Sequence, residues 1–180
     1  MTAIPSQQTV SVGQKVKASL WNDDVRDLAN FLLNPPSVRS YQAFVTTTMG
    51  TSGTTYVIGL DWEEWDTCSM HAEGTVSKHY AVYPGKYHVL AQTSFAADAD
   101  GQRYVYIRKN ANGSATGGTL IQAVSCDAVG SGSTSLMAQV EVSLAENDYL
   151  EMFAMHTAGN SLATNAGISA TFFSMTWRGA

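Results

Sequence analysis

Charged residues are scarce in this 180-residue chain, at 14% of the total, and the formal net charge at pH 7 is −5. Binding to a nucleic-acid backbone depends on clustered lysine and arginine, so this charge argues against nucleic acid as a partner. No apolar stretch approaches the roughly 20 residues of a membrane-spanning helix, and the N-terminus lacks the pattern of a signal peptide. We therefore expect a soluble protein, made in a cytosol, with no membrane span.

Cysteine is almost absent. The two cysteines, Cys68 and Cys126, are far apart and show no Cys-x-x-Cys spacing. They could form one disulfide if neighbouring strands hold them together. Buried free thiols are the favoured interpretation, because a protein without a secretion signal meets a reducing compartment.

The motifs of common catalytic and metal sites are missing as well. There is no Gly-x-Ser-x-Gly elbow and no P-loop. The four histidines lie in separate segments without paired ligand spacing: His71, His79, His88 and His156. The run from Asp98 to Gly101 resembles part of a calcium loop, but Ala96 and Ile107 would fill its first and twelfth positions, where carboxylates are needed. We predict no metal, no cofactor and no enzyme activity.

Short alternating stretches joined by turns dominate the chain after residue 40. In the segment 78–110, Pro84-Gly85 and Asp100-Gly101 are turn signals on either side of a long strand. That strand places Tyr87, Val89, Ala91 and Phe95 on one face and His88, Gln92 and Ser94 on the other, with Leu90 as an apolar exception. Eight or nine such strands with no helix between them predict an all-β antiparallel sandwich or barrel over residues 41–180.

Residues 1–40 have a different pattern. A polar arm, residues 1–17, precedes the helical segment SLWNDDVRDLANFLLN, which Pro35 and Pro36 end. The candidate anchoring residues form an apolar stripe on this helix: Leu20, Trp21, Val25, Leu28 and Leu32. A lone helix of this length is marginal in water, so the stripe needs a partner surface. It could fold back on the strands as a lid, but we favour a bundle with its own copies or docking onto another protein, because the Pro-Pro break is stiff.

An acidic and aromatic cluster follows the second predicted strand. Trp62, Glu63, Glu64 and Trp65, flanked by Asp61 and Asp66, are the candidate glycan-contact residues, because indole rings pack well against sugar faces. Two carboxylates could also support glycosidase chemistry, but nothing else in the chain favours catalysis. The alternative is a solvated loop or edge strand whose tryptophans pack inward.

Several motifs in order resemble the C1q/TNF-like jelly-roll domains. They are the run from Ala81 to Val89 (AVYPGKYHV), the strand from Tyr104 to Asn110, the run from Val140 to Met152 and the last strand from Phe172 to Trp177. The resemblance implies an antiparallel jelly-roll sandwich that forms a homotrimer through aromatic and apolar faces of its inner sheet. The residues predicted at the trimer interface are Tyr104, Tyr106, Tyr149, Phe153 and Phe172.

The leading segment from Val10 to Pro36 resembles that of structural proteins of tailed phages infecting actinobacteria. This resemblance implies a virion surface protein, assembled in the host cytoplasm, whose arm and helix bind the major capsid protein or another virion protein. The expected function is trimeric capsid decoration. The alternative is a minor tail or receptor-binding protein that recognises a host-surface glycan.

Overall fold

Two five-stranded antiparallel sheets face each other in the computed structural model, which describes residues 15, 17–18, 22–50, 52–130 and 132–179. The strands, numbered in chain order, are β1 Ser37–Tyr41, β2 Thr48–Met49, β3 Tyr56–Val57, β4 Trp62–Asp66, β5 His79–Tyr80, β6 Gly85–Phe95, β7 Gln102–Lys109, β8 Thr119–Asp127, β9 Thr134–Leu144, β10 Tyr149–His156, β11 Leu162–Ala163 and β12 Phe172–Gly179. A π-helical turn Asn22–Arg26 leads into the helix α1 Asp27–Leu33, and a 3₁₀ turn spans Glu73–Thr75.

The first sheet has the strand order β4-β1-β12-β6-β9, and the second has β3-β10-β7-β8 with β5 also paired to β10. A small pairing of β11 with β2 closes one end. Strands that are distant in sequence, such as β1 and β12, are neighbours in the sheet. This crossing of connections between two packed sheets is the jelly-roll arrangement, so the predicted fold class is confirmed.

The core lies between the sheets and is built by alternation. On β6, Tyr87, Val89, Ala91 and Phe95 are fully buried, as the sequence pattern predicts, while Leu90 lies on the opposite, outward face. On β9, Leu136 and Ala138 point inward and Met137 is exposed. Each strand of the first sheet therefore presents one face to the core and one face away from it.

The jelly roll begins earlier than residue 41. β1 starts at Ser37 and lies in the interior of the first sheet, between β4 and β12. Val38 and Ser40 on this strand have no exposed surface. The residues 37–40, which the sequence pattern grouped with the N-terminal helix, are therefore part of a central strand.

The turn before β6 shows why its Pro-Gly pair matters. Gly85 has a φ of 143°, which disfavours any side chain, and a Cβ at this position would collide with the backbone carbonyl oxygen of Gly179 on β12. The close approach lets β12 pair with the start of β6, so the glycine is needed for both the turn and the sheet.

Candidate functional site

The candidate glycan residues lie on β4, an edge strand of the first sheet. A bulge interrupts its pairing with β1: Trp62 is opposite Tyr41, and Trp65 is opposite Arg39, so Glu64 is the extra residue. Residues three apart on a regular strand point to opposite faces, and the extra residue cancels that alternation. Both tryptophans therefore lie on the outward face, where they are 51% and 40% exposed.

Each carboxylate of the cluster has a local partner. Asp61 accepts backbone N–H bonds from Ala43, Phe44 and Val45 at 2.7, 2.9 and 3.2 Å. At the other end of β4, Asp66 accepts N–H bonds from Cys68 at 3.0 Å and from His71 at 2.8 Å. These two aspartates hold the loops on either side of the strand, which is a structural role.

The two glutamates have separate partners. Glu63 Oε1 lies 2.9 Å from His71 Nδ1, and Glu64 Oε2 lies 3.0 Å from Arg39 Nε. Arg39 also donates to the carbonyl oxygen of Ile168, and its guanidinium lies 4.2 Å from the ring centroid of Phe172. The glutamates therefore belong to different sides of the strand: Glu64 to the outward face and Glu63 to the 71–76 segment.

Behind Glu63 lies a stack of rings that the sequence pattern did not predict. The ring centroids of His71 and His79 are 4.7 Å apart, and those of His79 and Phe173 are 4.3 Å apart. His79 Nε2 lies 2.5 Å from Ser40 Oγ. Burial, and next the neighbouring His71, hold the pKa of His79 well below its usual 6.5. The buried ring is therefore kept neutral.

A cleft of about 390 Å³ lies beside β4. Its lining comes from β4, the residues before it and the 71–76 segment: Leu60, Asp61, Trp62, Glu63, His71 and Val76. Only Trp62 and Glu63 of the four candidate glycan residues contribute to it. Trp65 and Glu64 lie instead beside Arg39.

The five aromatic residues predicted at the trimer interface are divided between the two sheets. Phe172 lies on the outward face of the first sheet, covered by Arg39. Tyr104 and Tyr106 on β7 are half-buried, with parallel rings 6.2 Å apart, and Tyr149 on β10 contacts Tyr80. Phe153 on β10 has no exposed surface in the single chain. The strand register thus places Tyr104, Tyr106, Tyr149 and Phe153 on one face of the second sheet, and Phe172 on the first sheet. Whether they form a trimer interface stays a prediction.

The outward face of the first sheet, called the outer face below, carries a broader set that is mostly uncharged, with Arg39 and Glu141 as its charged members. Its members are Arg39, Tyr41, Trp62, Trp65, His88, Leu90, Gln92, Met137, Gln139, Glu141, Phe172, Ser174 and Thr176. Leu90 is central, with Ser174 on one side and Gln139 on the other. Leu90 was visible in the sequence as the exception to the alternation of β6.

The predicted anchoring stripe is only partly described, because Leu20 and Trp21 lie outside the described residues. Val25 and Leu32 are 43% and 62% exposed, and Leu28 is half-buried. The helix contacts the jelly roll through Phe31, which is outside the predicted stripe. Its ring lies 5.8 Å from that of Tyr83 and 5.3 Å from that of Trp177. A π-helical turn holds an extra residue, which changes the phase of the side chains that follow it.

Cys68 and Cys126 are both free thiols, the first buried and the second half-buried. Among the described residues, no group of three or more His, Cys, Asp or Glu side chains could hold a metal ion. In the same part of the chain, no helix has the length and apolarity to cross a membrane.

Comparison with solved structures identifies the architecture. The chain is similar to Eiger TNF from S. frugiperda, with a TM-score of 0.57 and 11% identity over 79% of this chain and 93% of that one. It is also similar to murine APRIL at pH 8.0, with a TM-score of 0.60 and 10% identity over 79% and 98% of the two chains. The globular domain of zebrafish complement 1qA gives a TM-score of 0.52 and 11% identity over 79% and 96%. The fold is therefore a C1q/TNF-like jelly roll.

The resemblance lies in the fold and not in overall sequence. No protein-family model matches the chain, and no curated protein sequence matches it. Identities near one residue in ten show the shared fold alone. The function has to be argued from the surfaces of this chain.

Proposed function

We propose that this chain is a structural protein of a tailed-phage particle, a homotrimer whose N-terminal arm and helix bind the capsid and whose jelly rolls project outward. Its partners are two further copies of itself and the major capsid protein or another virion protein. It decorates and reinforces the lattice at the virion surface, after assembly in the host cytoplasm. The resemblance of the segment from Val10 to Pro36 to phage structural proteins supports the location.

The observation that carries the anchoring role is the exposed apolar surface of the helical segment. Only Phe31 of α1 is buried against the jelly roll, while Val25, Leu32 and Leu33 are 43%, 62% and 83% exposed. Burying an apolar side chain of this size stabilises a complex by about 2 kcal/mol. Three such side chains close together on a short segment fit a contact with another protein.

Trimer formation follows from the resemblance to C1q/TNF-like domains, and the outer face is the surface that suits it. Part of the corresponding side of the second sheet is covered by the chain itself, because Glu151 and Phe153 are fully buried there. Glu151 accepts bonds from Gly113 N–H and Ser77 Oγ–H, which tie two loops over β10. At the end of the outer face away from β4, Met137 on β9 is exposed and lies near Leu90.

Leu90→Asp is expected to break the trimer. An aspartate at the centre of a buried interface loses the apolar contact and desolvates a charge, which costs several kcal/mol in each of the three chains. Sedimentation of the wild type should give three times the chain mass of 19.3 kDa, and the variant should give one. Tyr106→Ala, on the second sheet, is the matched control and should leave the trimer intact. A monomeric wild type would contradict the trimer. A monomeric Tyr106→Ala together with a trimeric Leu90→Asp would instead place the interface at Tyr104 and Tyr106.

Particle composition tests the proposed location. The measurement is the number of copies of this chain relative to the major shell protein in purified particles. Hundreds of copies in fixed ratio to the shell are expected for a decoration protein. A few copies, in multiples of three, would indicate a tail protein. Absence of the chain from purified particles would contradict a virion role.

The second candidate function is a minor tail or receptor-binding protein that recognises a host-surface glycan. The exposed indole of Trp62 beside a cleft favours it. Both candidates act by binding and not by catalysis. The four carboxylates around β4 all engage local partners, which supports this choice over a glycosidase, whose two catalytic carboxyl groups must face the same bond.

A further inference from the structure

The cleft beside β4 has the dimensions of a small-ligand site. Its volume of about 390 Å³ lies at the lower end of the roughly 300–1,000 Å³ range of such sites. β4 is an edge strand, so the cleft borders a free strand edge and the 71–76 segment. The His71 side chain, which is 3% exposed, fixes the back of the cleft through Glu63.

The two carboxylates in the cleft already have hydrogen-bond partners within the chain. Asp61 accepts three backbone N–H bonds, and Glu63 Oε1 is paired with His71 Nδ1. The lining has no lysine or arginine, which disfavours an anionic ligand, and no metal-binding group occurs among the described residues. The two carboxylates repel an anion, and the apolar side chains of the lining suit an uncharged polar ligand better than a small hydrated cation.

One wall of the cleft is aromatic and held in place. The Phe44 ring meets the Trp62 ring at 5.8 Å, with an angle of 82° between their planes. The loop that carries Phe44 is fixed by Asp61, so the indole is supported before any ligand arrives. Leu60 and Val76 add apolar surface. The flat apolar face of a sugar ring matches such a wall, while its hydroxyl groups need nearby acceptors.

Glu63 supplies an acceptor for those hydroxyl groups. Its contact with His71 uses Oε1, and among the described residues no bond engages Oε2. A carboxylate oxygen accepts short, strong hydrogen bonds from hydroxyl groups. Trp62 and Glu63 therefore complement the two parts of a sugar. The indole can stack on its apolar face, and the carboxylate can accept hydrogen bonds from its hydroxyl groups.

We propose that this cleft binds one pyranose ring of an uncharged glycan, stacked on Trp62 and hydrogen-bonded to Glu63. The inference rests on the second candidate function, narrows its ligand to a neutral pyranose and gives it a site. It holds whether the protein sits on the capsid or on the tail, because the cleft belongs to a single chain.

The adjacent tryptophan and glutamate of the same strand provide matched controls. Trp65 and Glu64 have similar exposure but contact Arg39 and do not line the cleft. The experiment titrates the full chain with neutral methyl pyranosides of glucose, galactose and mannose, and follows the indole N–H resonances and the methyl resonances of Leu60 and Val76 by NMR. Glucuronate and tetramethylammonium serve as the anionic and cationic probes.

At least one neutral pyranoside should shift the Trp62 resonance saturably, with a Kd of about 1 mM. Trp62→Ala should weaken that binding by about tenfold and Glu63→Gln by about fivefold, whereas Trp65→Ala and Glu64→Gln should leave it unchanged. Trp62→Phe should retain part of the affinity. An unchanged mass by sedimentation shows that each variant is still folded and assembled.

Three results would overturn the glycan inference. They are the absence of a saturable shift with every neutral probe, an equal loss of affinity in Trp65→Ala, and binding of glucuronate or tetramethylammonium in place of the neutral sugars. None of them bears on the particle copy number, so this inference and the virion role fail independently.

Discussion

A chain that begins at Tyr41 is expected not to fold, whereas a chain that begins at Asn34 is expected to fold and to form the same trimer. The first truncation removes four of the five residues of β1, which lies between two other strands. β1 is in register with five residues of β12 and four of β4. Its loss would leave β4 without its pairing partner and expose one edge of β12.

The expected loss of stability is large because β1 contributes buried side chains to the core and a contact to the buried His79 ring. Val38 and Ser40 are fully buried, and the Ser40 hydroxyl contacts His79. Burying a valine contributes about 2 kcal/mol, and each backbone hydrogen bond about 1 kcal/mol. Small domains are stable by only about 5–15 kcal/mol, so losing a central strand removes most of that stability.

The Asn34 start keeps the contacts that precede β1. The Pro36 carbonyl accepts a bond from Trp177 N–H at 2.9 Å, and the Pro35 carbonyl accepts one from Thr67 Oγ1 at 3.3 Å. This truncation removes Phe31 and costs about 2 kcal/mol of apolar contact. Circular dichroism and thermal unfolding of the two fragments compare them directly. A cooperatively folded fragment starting at Tyr41 would show that β1 is dispensable.

Local alternation is sufficient to predict the strands whose two faces differ in polarity. β6 and β9 alternate clearly, and their inward residues follow from the sequence pattern alone. The order of the jelly-roll motifs then predicts the fold. The pairing of β1 with β4 and β12 does not follow in this way, because Ser37 to Tyr41 is short and its partners lie far along the chain.

The candidate site is harder to predict, because it depends on small irregularities. A regular strand would separate Trp62 from Trp65, and only the bulge at Glu64 puts both on one face. The π-helical turn likewise moves Phe31 into contact and leaves Leu32 outside. Neither irregularity has a clear residue signature. The sequence shows that Glu63 and His71 lie eight residues apart, but it does not show that their side chains meet.

The split of the predicted trimer residues has a similar cause. Alternation separates Tyr149 and Phe153 from Leu150, Met152 and Ala154, and the structure puts the latter three in the core. Alternation does not say what covers the other side. There, Glu151 holds two loops of the chain through Gly113 and Ser77, and Phe153 on the same strand is also fully buried within its own chain.

The fold is expected to lose stability as the pH falls below 6.5, and His79→Phe is expected to reduce that loss. Burial, and then the adjacent His71, keep the pKa of His79 well below 6.5 in the folded chain. In the unfolded chain the same group titrates near 6.5. Below that pH the unfolded state binds more protons than the folded state, so acid favours unfolding until the pKa of the folded state is reached.

The side chains around His79 show why this loss of stability at low pH should depend on His79 itself. His71 and Phe173 cover its two faces, Ser40 contacts Nε2, and Glu63 faces it only through His71. A phenylalanine ring can occupy the same space between two rings but cannot take up a proton. The contribution of His79 to the free energy of unfolding should approach a slope of about 1.4 kcal/mol per pH unit.

Urea denaturation of both proteins between about pH 7.5 and pH 5 measures this slope. His79→Phe should show the shallower dependence on pH, even if losing the Ser40 contact lowers its stability at neutral pH. Met175→Leu, a core substitution that changes no titratable group, is the control for general destabilisation and should keep the slope of the wild type. Equal slopes for the wild type and His79→Phe would mean that the buried ring gains its proton without opening the fold. The ring stack behind the cleft would then tolerate acid, and the glycan site would keep its shape at low pH.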